Sequence, residues 1–217
     1  MERWVALDVG ETLIDETRIW STWADTLGIP RLTFMAAMGA TLATGGDFRH
    51  TFSLLGVDDW GSRRADVEAM YEGFQEEDLY PDARRSIDAL CRDGYRVAIL
   101  ANQPASRSAE LRALGFAPDV IAMSDEMGVA KPDPAFFVRS LELMGGPEPA
   151  NVAYVGDRLD NDVLPSVRAG MRAVWLRRGP WGVIGDPSHA GAEAAANLVV
   201  DSLDELVARI GEAWAKT

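Results

Sequence analysis

The chain alternates short apolar runs with longer stretches of helical periodicity. The apolar runs are four to six residues long, rich in aliphatic side chains, and typical of strands buried on both faces; they cover residues 4–7, 95–100, 119–123, 151–155, 172–176 and 197–200. Helical spacing lies between most of them, clearest at residues 84–92, 105–114 and 203–214. Gly94 and Gly115 follow the first two of these helices, as C-terminal capping glycines do. The alternation predicts an α/β fold with a parallel sheet.

A second pattern interrupts this alternation between the first strand and the second. Four stretches with helix-period apolar spacing follow one another and cover residues 17–27, 32–42, 48–55 and 64–75. They are separated by Gly28-Ile29-Pro30, Gly45-Gly46 and residues 58–61, which are typical of turns. We therefore predict an all-helical cap domain over residues 16–80, inserted into a core domain of residues 1–15 and 81–217. The apolar side chains of this region, among them Trp20, Trp23 and Phe34, are predicted to form its own core. Residues 179–196 are polar and rich in Gly and Pro, which predicts a long surface loop with a short helix of alanines.

Composition and charge exclude several classes of function. The 217 residues carry a net charge of −13, which repels phosphate backbones and anionic lipid, so we expect neither nucleic-acid nor membrane binding. No stretch approaches the roughly 18 apolar residues of a membrane span, and the apolar run at residues 4–7 ends at Asp8 rather than continuing as a signal peptide. A single cysteine, Cys91, excludes an internal disulfide, and we expect a cytoplasmic protein. The chain has only two histidines, His50 and His189, and one cysteine, a composition that argues against a zinc site or a histidine-activated nucleophile. Both histidines are predicted to be surface residues.

Carboxylates and one lysine are the remaining candidates for chemistry. Polar segments lie after predicted strands or close to them; they are residues 8–15, 102–104, 131–134 and 156–162. Ligands of open α/β sheets bind at the carboxyl ends of the strands, so these segments are expected to share one crevice. Lys131 is one of only two lysines among the 21 cationic residues of the chain. Because the chain otherwise uses arginine, a lysine in such a segment favours a functional role. Acidic groups at this edge suit Mg²⁺, which prefers oxygen ligands and commonly bridges carboxylate to phosphate.

These four segments, in this order, resemble the motifs of the haloacid dehalogenase (HAD) superfamily, with a helical cap between the first two motifs. The resemblance covers nearly the whole chain and implies a Rossmann-like core. It also implies a magnesium-dependent phosphatase that acts on a small phosphorylated metabolite through an aspartyl-phosphate intermediate. Asp8 would be the nucleophile, and Lys131 would neutralise both Asp8 and the transferring phosphate.

The same resemblance implies the ligands of the metal and of the phosphate. Mg²⁺ would be held by Asp8, the main-chain carbonyl of Gly10 and Asp157. Asp162, or else Asp160, would complete the acidic shell directly or through a water. The substrate-binding residues implied are Thr12, Asn102 and Lys131, together with backbone N–H groups at residues 9–12 and 101–102.

The chain departs from the family pattern at two positions. The family's phosphatases carry a second aspartate two residues after the nucleophile, as general acid and base, whereas this chain has Gly10. Such a group is worth roughly 10²–10⁴-fold in rate. Glu11 is adjacent, but strand alternation would turn its side chain to the opposite face unless the backbone has already turned. The family's Ser or Thr at the end of the second strand is Ala101 here, which removes a hydroxyl donor.

These departures leave two alternative functions open. One is a catalytically degenerate HAD-fold protein that binds a phosphorylated ligand or a partner. The other is a metal-independent haloacid dehalogenase, a reaction that also lacks the second aspartate; the retained Gly156-Asp157 pair and the absence of an aromatic residue at position 10 argue against it. Phosphonate cleavage would need a lysine in the cap, and residues 16–80 contain none.

Overall fold

The computed structural model describes residues 2–184 and 191–215, and its strands form a parallel sheet. The strands are β1 (Trp4–Leu7), β2 (Arg96–Ala101), β3 (Val120–Met123), β4 (Val152–Gly156), β5 (Arg172–Leu176) and β6 (Leu198–Val200). Their order is β3-β2-β1-β4-β5-β6, and every pairing is parallel. The predicted α/β, Rossmann-like fold is therefore confirmed. Because the chain order reverses between β1 and β4, a crevice is expected at their carboxyl ends.

The helices cover both faces of the sheet and fill the interval between β1 and β2. Four of them lie in the first part of that interval: α1 (Thr17–Thr26), α2 (Arg31–Ala43), α3 (His50–Leu54) and α4 (Arg64–Tyr71). The others are α5 (Ala83–Arg92), α6 (Ser106–Ala113), α7 (Ser124–Met127), α8 (Pro134–Leu143), α9 (Leu164–Arg168), α10 (Gly179–Ile184) and α11 (Leu203–Arg209). Helix α4 ends four residues before its predicted end because Glu72 and Gly73 adopt left-handed backbone, with φ of 56° and 77°. Among the described residues, no helix is long and apolar enough to cross a bilayer.

Each face of the sheet buries its own set of apolar side chains. Val5 and Leu7 of β1 point to one face, and Trp4 and Ala6 point to the other. This follows from the two-residue side-chain period of a strand. Burial on both faces explains why the strands appear in the sequence as continuous apolar runs.

The stretch that contains α1 to α4, here called the helical segment (residues 17–78), has a separate aromatic core. Trp23, Phe34 and Phe52 are buried in it, with the Trp23 and Phe52 ring centroids 5.0 Å apart. The ring of Trp20 packs against Phe34 at 6.2 Å and also contacts Trp181 of α10 at 6.1 Å. The predicted aromatic core is thus present, and Trp20 additionally connects the helical segment to α10.

The prediction of an irregular loop at residues 179–196 is wrong over its first third. Residues Gly179–Ile184 form α10, which packs on α2. Pro180 lies in the first turn of this helix, where a missing N–H costs nothing and a fixed φ favours helix formation. A 3₁₀ turn at Ala192–Ala195 matches the predicted alanine helix, whereas residues 185–190, including His189, lie outside the described residues. His50 is exposed, as predicted.

Candidate active site

Three of the predicted site residues are assembled at the carboxyl edge of the sheet. Asp8 follows β1 directly, and its N–H donates to the Val155 carbonyl at 2.9 Å, which continues the pairing of β1 with β4. Asp157 follows β4, and Asn102 follows β2. The neighbouring ends of three parallel strands therefore bring these side chains to one crevice.

Lys131 lies between two carboxylates at the bottom of this crevice. Its Nζ is 2.8 Å from Asp8 Oδ1 and 2.6 Å from Asp162 Oδ1, and its side chain is 1% exposed. Burial alone would lower the pKa of this amine, but Asp162 and Asp8 outweigh burial and raise the pKa well above its usual value. Lys131 is therefore a fixed positive charge in contact with Asp8.

The amide of Asn102 holds the main chain of Lys131. Asn102 Oδ1 accepts from the Lys131 N–H at 2.7 Å, and Nδ2 donates to the Lys131 carbonyl at 2.8 Å. Both polar ends of the Asn102 side chain are thus engaged with this one residue. The implied phosphate contact of Asn102 stays a prediction, and the structure adds a positioning role for it.

Three carboxylates in the crevice have the spacing of a metal site. Ligand oxygens of Asp8, Asp157 and Asp162 lie within 4.8 Å of one another. Asp157 is 2% exposed, and its Oδ2 has no hydrogen-bond partner among the described residues. Burial, with Asp162 and Asp8 adding to it, raises the pKa of Asp157 well above its usual value. An orphaned, buried carboxylate oxygen beside two further carboxylates fits a hard divalent cation.

Asp160, the alternative to Asp162, lies away from this group. Its carboxylate pairs with Arg158 at 2.7 Å, and its side chain is 43% exposed. Asp162 is carried inward by a single π-helical turn, Leu159–Val163, and its Oδ2 accepts the Arg158 N–H at 3.0 Å. π-Helical turns of this kind are often found at functional sites.

The backbone after β1 turns sharply at Glu11, which has a φ of 51°. The side chain of Glu11 therefore does not follow strand alternation but faces the crevice. Its Oε1 accepts the Glu16 N–H at 3.0 Å, and its Oε2 accepts the Tyr80 hydroxyl. Burial raises the pKa of Glu11, although the Tyr80 hydrogen bond opposes this. Glu11 thus joins the two chain segments that enter and leave the helical segment.

Glu16 is a site residue that the sequence interpretation missed. A Cβ added to Gly10 would lie 2.4 Å from Glu16 Oε1, so the Glu16 carboxyl occupies the space beside Gly10. Trp20 Nε1 donates to Oε2 at 3.2 Å, and Gln103 Nε2 lies 3.4 Å from Oε1. Burial, with the negative charges of Glu11 and Asp8 adding to it, raises the pKa of Glu16 to about 8. The sequence does contain one signal for this residue: an acidic side chain directly before the first predicted helix, in a chain that lacks the family's second aspartate at position 10.

These groups line a small cavity of about 90 Å³. Besides Asp8, Lys131 and Asp157, its wall includes side chains that were not predicted as binding residues: Glu16, Gln103, Arg158, Asn161 and Trp181. Thr12 is fully buried, its carbonyl accepts from Arg178 at 3.0 Å, and its hydroxyl has no partner among the described residues. The implied contact of Thr12 with phosphate stays a prediction.

Comparisons with known proteins agree with this architecture. Residues 2–170 match the family model of haloacid dehalogenase-like hydrolases. A phosphoserine phosphatase of Thermus thermophilus is 31% identical over 170 residues, which cover 72% of this chain and 68% of that protein. A glyceraldehyde 3-phosphate phosphatase of Methanopyrus kandleri is 36% identical over 106 residues, 47% of this chain and 45% of that protein. The solved HAD phosphatase of Thermococcus onnurineus shares the fold, with a TM-score of 0.62 at 24% identity over 98% of this chain and 99% of that chain. The chain therefore belongs to the haloacid dehalogenase-like hydrolases.

Proposed function

We propose that this hydrolase is a magnesium-dependent phosphatase that acts on a small phosphorylated metabolite through an aspartyl-phosphate. The observation that carries the proposal is the placement of Asp8 in one cavity with the Lys131 ammonium, which it contacts, and with Asp157, whose Oδ2 has no hydrogen-bond partner among the described residues. The relatives named as phosphatases of phosphoserine and glyceraldehyde 3-phosphate support the same reaction class.

In the first step, a carboxylate oxygen of Asp8 forms a bond to phosphorus while the ester P–O bond breaks. The electron pair of that bond leaves with the alcohol oxygen, and Asp8 becomes an acyl phosphate. Lys131 lowers the repulsion between the anionic nucleophile and the anionic substrate. In the second step, water attacks this phosphorus, which releases inorganic phosphate and restores Asp8.

The metal ligands in this proposal are Asp8, Asp157 and the main-chain carbonyl of Gly10. Asp162 completes the acidic shell and holds Lys131 at 2.6 Å. When bound there, Mg²⁺ would supply positive charge that polarises the phosphoryl group. The orphaned Oδ2 of Asp157 is the observation in favour of this ligand set.

In this proposal the helical segment acts as a cap over the active site. The cap domain comprises residues 16–80, and the core domain comprises residues 1–15 and 81–217. The two connecting chains run side by side, since Asp15 N–H donates to the Asp78 carbonyl at 2.8 Å and Tyr80 N–H donates to the Leu13 carbonyl at 3.0 Å. Adjacent connections form one hinge region, and movement about it would open the cavity.

The test is phosphate release from a panel of small phosphorylated metabolites and p-nitrophenyl phosphate, with Mg²⁺ and with EDTA. We expect release that requires Mg²⁺, that Asp8→Asn abolishes, and that Asp66→Asn on exposed α4 leaves unchanged. Chloride release from chloroacetate without metal would identify a dehalogenase instead. A folded wild-type protein that releases neither product would support the ligand-binding alternative and reject the phosphatase.

A further inference from the structure

Gly10 is a position from which a side chain is excluded by a neighbouring residue. Gly10 is absent from the residues with positive φ, so its backbone does not itself require glycine. A Cβ at this position would lie 2.4 Å from Oε1 and 2.8 Å from Cδ of Glu16, distances that real Cβ atoms do not adopt. The carboxyl of Glu16 therefore occupies the volume into which a side chain at position 10 would project.

We propose that Glu16 is a catalytic residue that supplies, from the start of α1, the proton-transferring carboxyl that position 10 lacks. This inference rests on the proposed phosphatase function. Its basis is placement: Glu16, Gly10 and Asp8 line the same cavity, and the Glu16 carboxyl approaches Gly10 more closely than a methyl group on that residue would allow.

Glu16 is held both by its main chain and by its carboxyl. Its own N–H donates to Glu11 Oε1 at 3.0 Å, which fixes the start of α1 to the turn after β1. Trp20 Nε1 donates to Oε2 at 3.2 Å, and the Gln103 amide lies 3.4 Å from Oε1. The oxygen that faces Gly10, Oε1, has the weaker of the two hydrogen bonds and is the one available to a substrate. A general acid or base must lie within hydrogen-bond reach of the proton that it transfers, and these contacts fix the Glu16 carboxyl in the cavity.

Glu16 acts in two protonation states, as the carboxylic acid in the first step and as the carboxylate in the second. In the first step, the Glu16 carboxylic acid gives its proton to the leaving-group oxygen as the ester P–O bond breaks. In the second step, the resulting carboxylate takes a proton from the water that attacks the phosphorus bound to Asp8. The net reaction consumes one water, releases alcohol and inorganic phosphate, and returns Glu16 to its acid form.

The first test compares leaving groups in wild type and in Glu16→Gln, which keeps the size of the side chain. Removing a positioned acid costs about 10²–10⁴-fold, so we expect kcat/KM, which reports the first step, to fall by that factor with alkyl phosphates. The fall in kcat/KM should be much smaller with p-nitrophenyl phosphate, whose leaving group needs no proton. In a plot of log(kcat/KM) against the pKa of the leaving group, the negative slope should be steeper for Glu16→Gln than for wild type. With p-nitrophenyl phosphate as the substrate, acid quenching should also trap more phosphoenzyme in the variant than in wild type, because the attacking water is no longer activated.

Two further variants separate this role from a structural one. Glu142→Gln, on an exposed face of α8, should leave the slope and the trapped phosphoenzyme unchanged. Glu11→Gln removes the neighbouring negative charge but keeps an oxygen that can accept the Glu16 N–H, so any change in rate should be equal for alkyl and aryl esters and the slope should not steepen. A steeper slope in Glu11→Gln, with the wild-type slope in Glu16→Gln, would overturn the assignment in favour of Glu11.

A relocation experiment tests the geometry directly. Gly10→Asp alone places a side chain against Glu16, whereas Gly10→Asp combined with Glu16→Ala provides the space for it. We expect the double variant to hydrolyse alkyl phosphates at least tenfold faster than Glu16→Ala. A folded double variant no faster than Glu16→Ala would count against a carboxyl acting at this place.

The outcomes distinguish this inference from the proposed function. Wild-type turnover that Asp8→Asn abolishes, with equal slopes in wild type and Glu16→Gln, would leave the phosphatase intact and overturn the role of Glu16. If wild type releases no phosphate from any ester, both fail.

Discussion

Gly156 and Asp162 are packed so closely that the carboxyl of one fills the space of a side chain on the other. A Cβ on Gly156 would lie 2.4 Å from both Cγ and Oδ2 of Asp162. Asp162 cannot move aside easily, because Lys131 Nζ holds Oδ1 at 2.6 Å and the Arg158 N–H holds Oδ2 at 3.0 Å. The glycine that ends β4 is therefore what allows a buried carboxylate to lie beneath the strand and reach the lysine.

Gly156→Ala should accordingly disturb the site without any change in its charged residues. Overpacking of a rigid interior costs about 1–3 kcal/mol, and displacement of Asp162 should lower the rate of phosphate release. Gly211→Ala is the matched control, because a Cβ there meets nothing within 4 Å, and its effect on stability should stay within about 0.5 kcal/mol. Urea unfolding and steady-state assays of both variants provide the comparison. Equal stability in the two variants would show that Asp162 moves freely.

The ion pairs of Lys131 should be strongly coupled. Lys131→Met leaves Asp8 and Asp162 buried near each other without a cation, and loss of one partner of a buried pair costs about 3–5 kcal/mol. Adding Asp162→Asn removes one of the two unpaired charges, so the double variant should recover part of that loss. The coupling free energy from a double-mutant cycle in EDTA should exceed about 0.5 kcal/mol. Additive effects would contradict the contact seen at 2.6 Å.

An exposed ion pair provides the control for that cycle. Arg139 and Glu142 pair at 2.8 Å on α8, with side chains 50% and 57% exposed. Arg139→Met should change the free energy of unfolding by no more than about 1 kcal/mol, since water screens such pairs.

The sheet and the placement of Asp8 and Asp157 at its edge were predictable because they depend on local patterns. Strands buried on both faces give apolar runs, and parallel strands bring their carboxyl ends to one edge whatever the loops do. Lys131 lies in the loop after α7, beyond the end of β3, so the order of the strands does not by itself place it. The different placement of Asp160 and Asp162 depends on one π-helical turn, which the sequence did not predict. Whether the domain boundary lies at residues 15–16 and 80–81 stays a prediction.

Glu16 could not be placed because its position depends on a backbone turn that few residues adopt. The φ of 51° at Glu11 reverses the chain after β1, and the Glu11 carboxylate then holds the Glu16 N–H. Neither event has a periodic signal in the sequence. Helix α10 was missed for a related reason, since Gly179 and Pro180 are typical of loops and its packing partner, α2, is more than 130 residues earlier in the chain.

The thiol of Cys91 should react slowly near neutral pH. Cys91 is exposed, but partial desolvation of the thiol raises its pKa, and the negative charges of Asp119 and Asp88 raise the pKa further. The reactive thiolate fraction at pH 8 is therefore smaller than in an unperturbed thiol. Alkylation by iodoacetamide should therefore be slower than that of glutathione at pH 8 and should increase as the pH rises past 9. Asp88→Asn should increase the rate at pH 8. Because Cys91 is the only cysteine, mass spectrometry reports this site alone. A rate equal to that of glutathione would contradict the raised pKa.

Trp181 should limit the size of the leaving group that the cavity accepts. Its ring contacts Trp20 of the helical segment at 6.1 Å, and the Arg158 guanidinium lies 5.6 Å from the centroid of the same ring. Trp181→Ala removes this part of the cavity wall, so kcat/KM for sugar phosphates should rise relative to kcat/KM for three-carbon phosphates. A factor of about ten is expected, because a small change in pocket volume is worth about 1–3 kcal/mol in discrimination. Val183→Ala, on the same helix at a side chain that is 73% exposed, should leave the ratio unchanged. An unchanged ratio in Trp181→Ala as well would mean that the leaving group is selected elsewhere in the cavity.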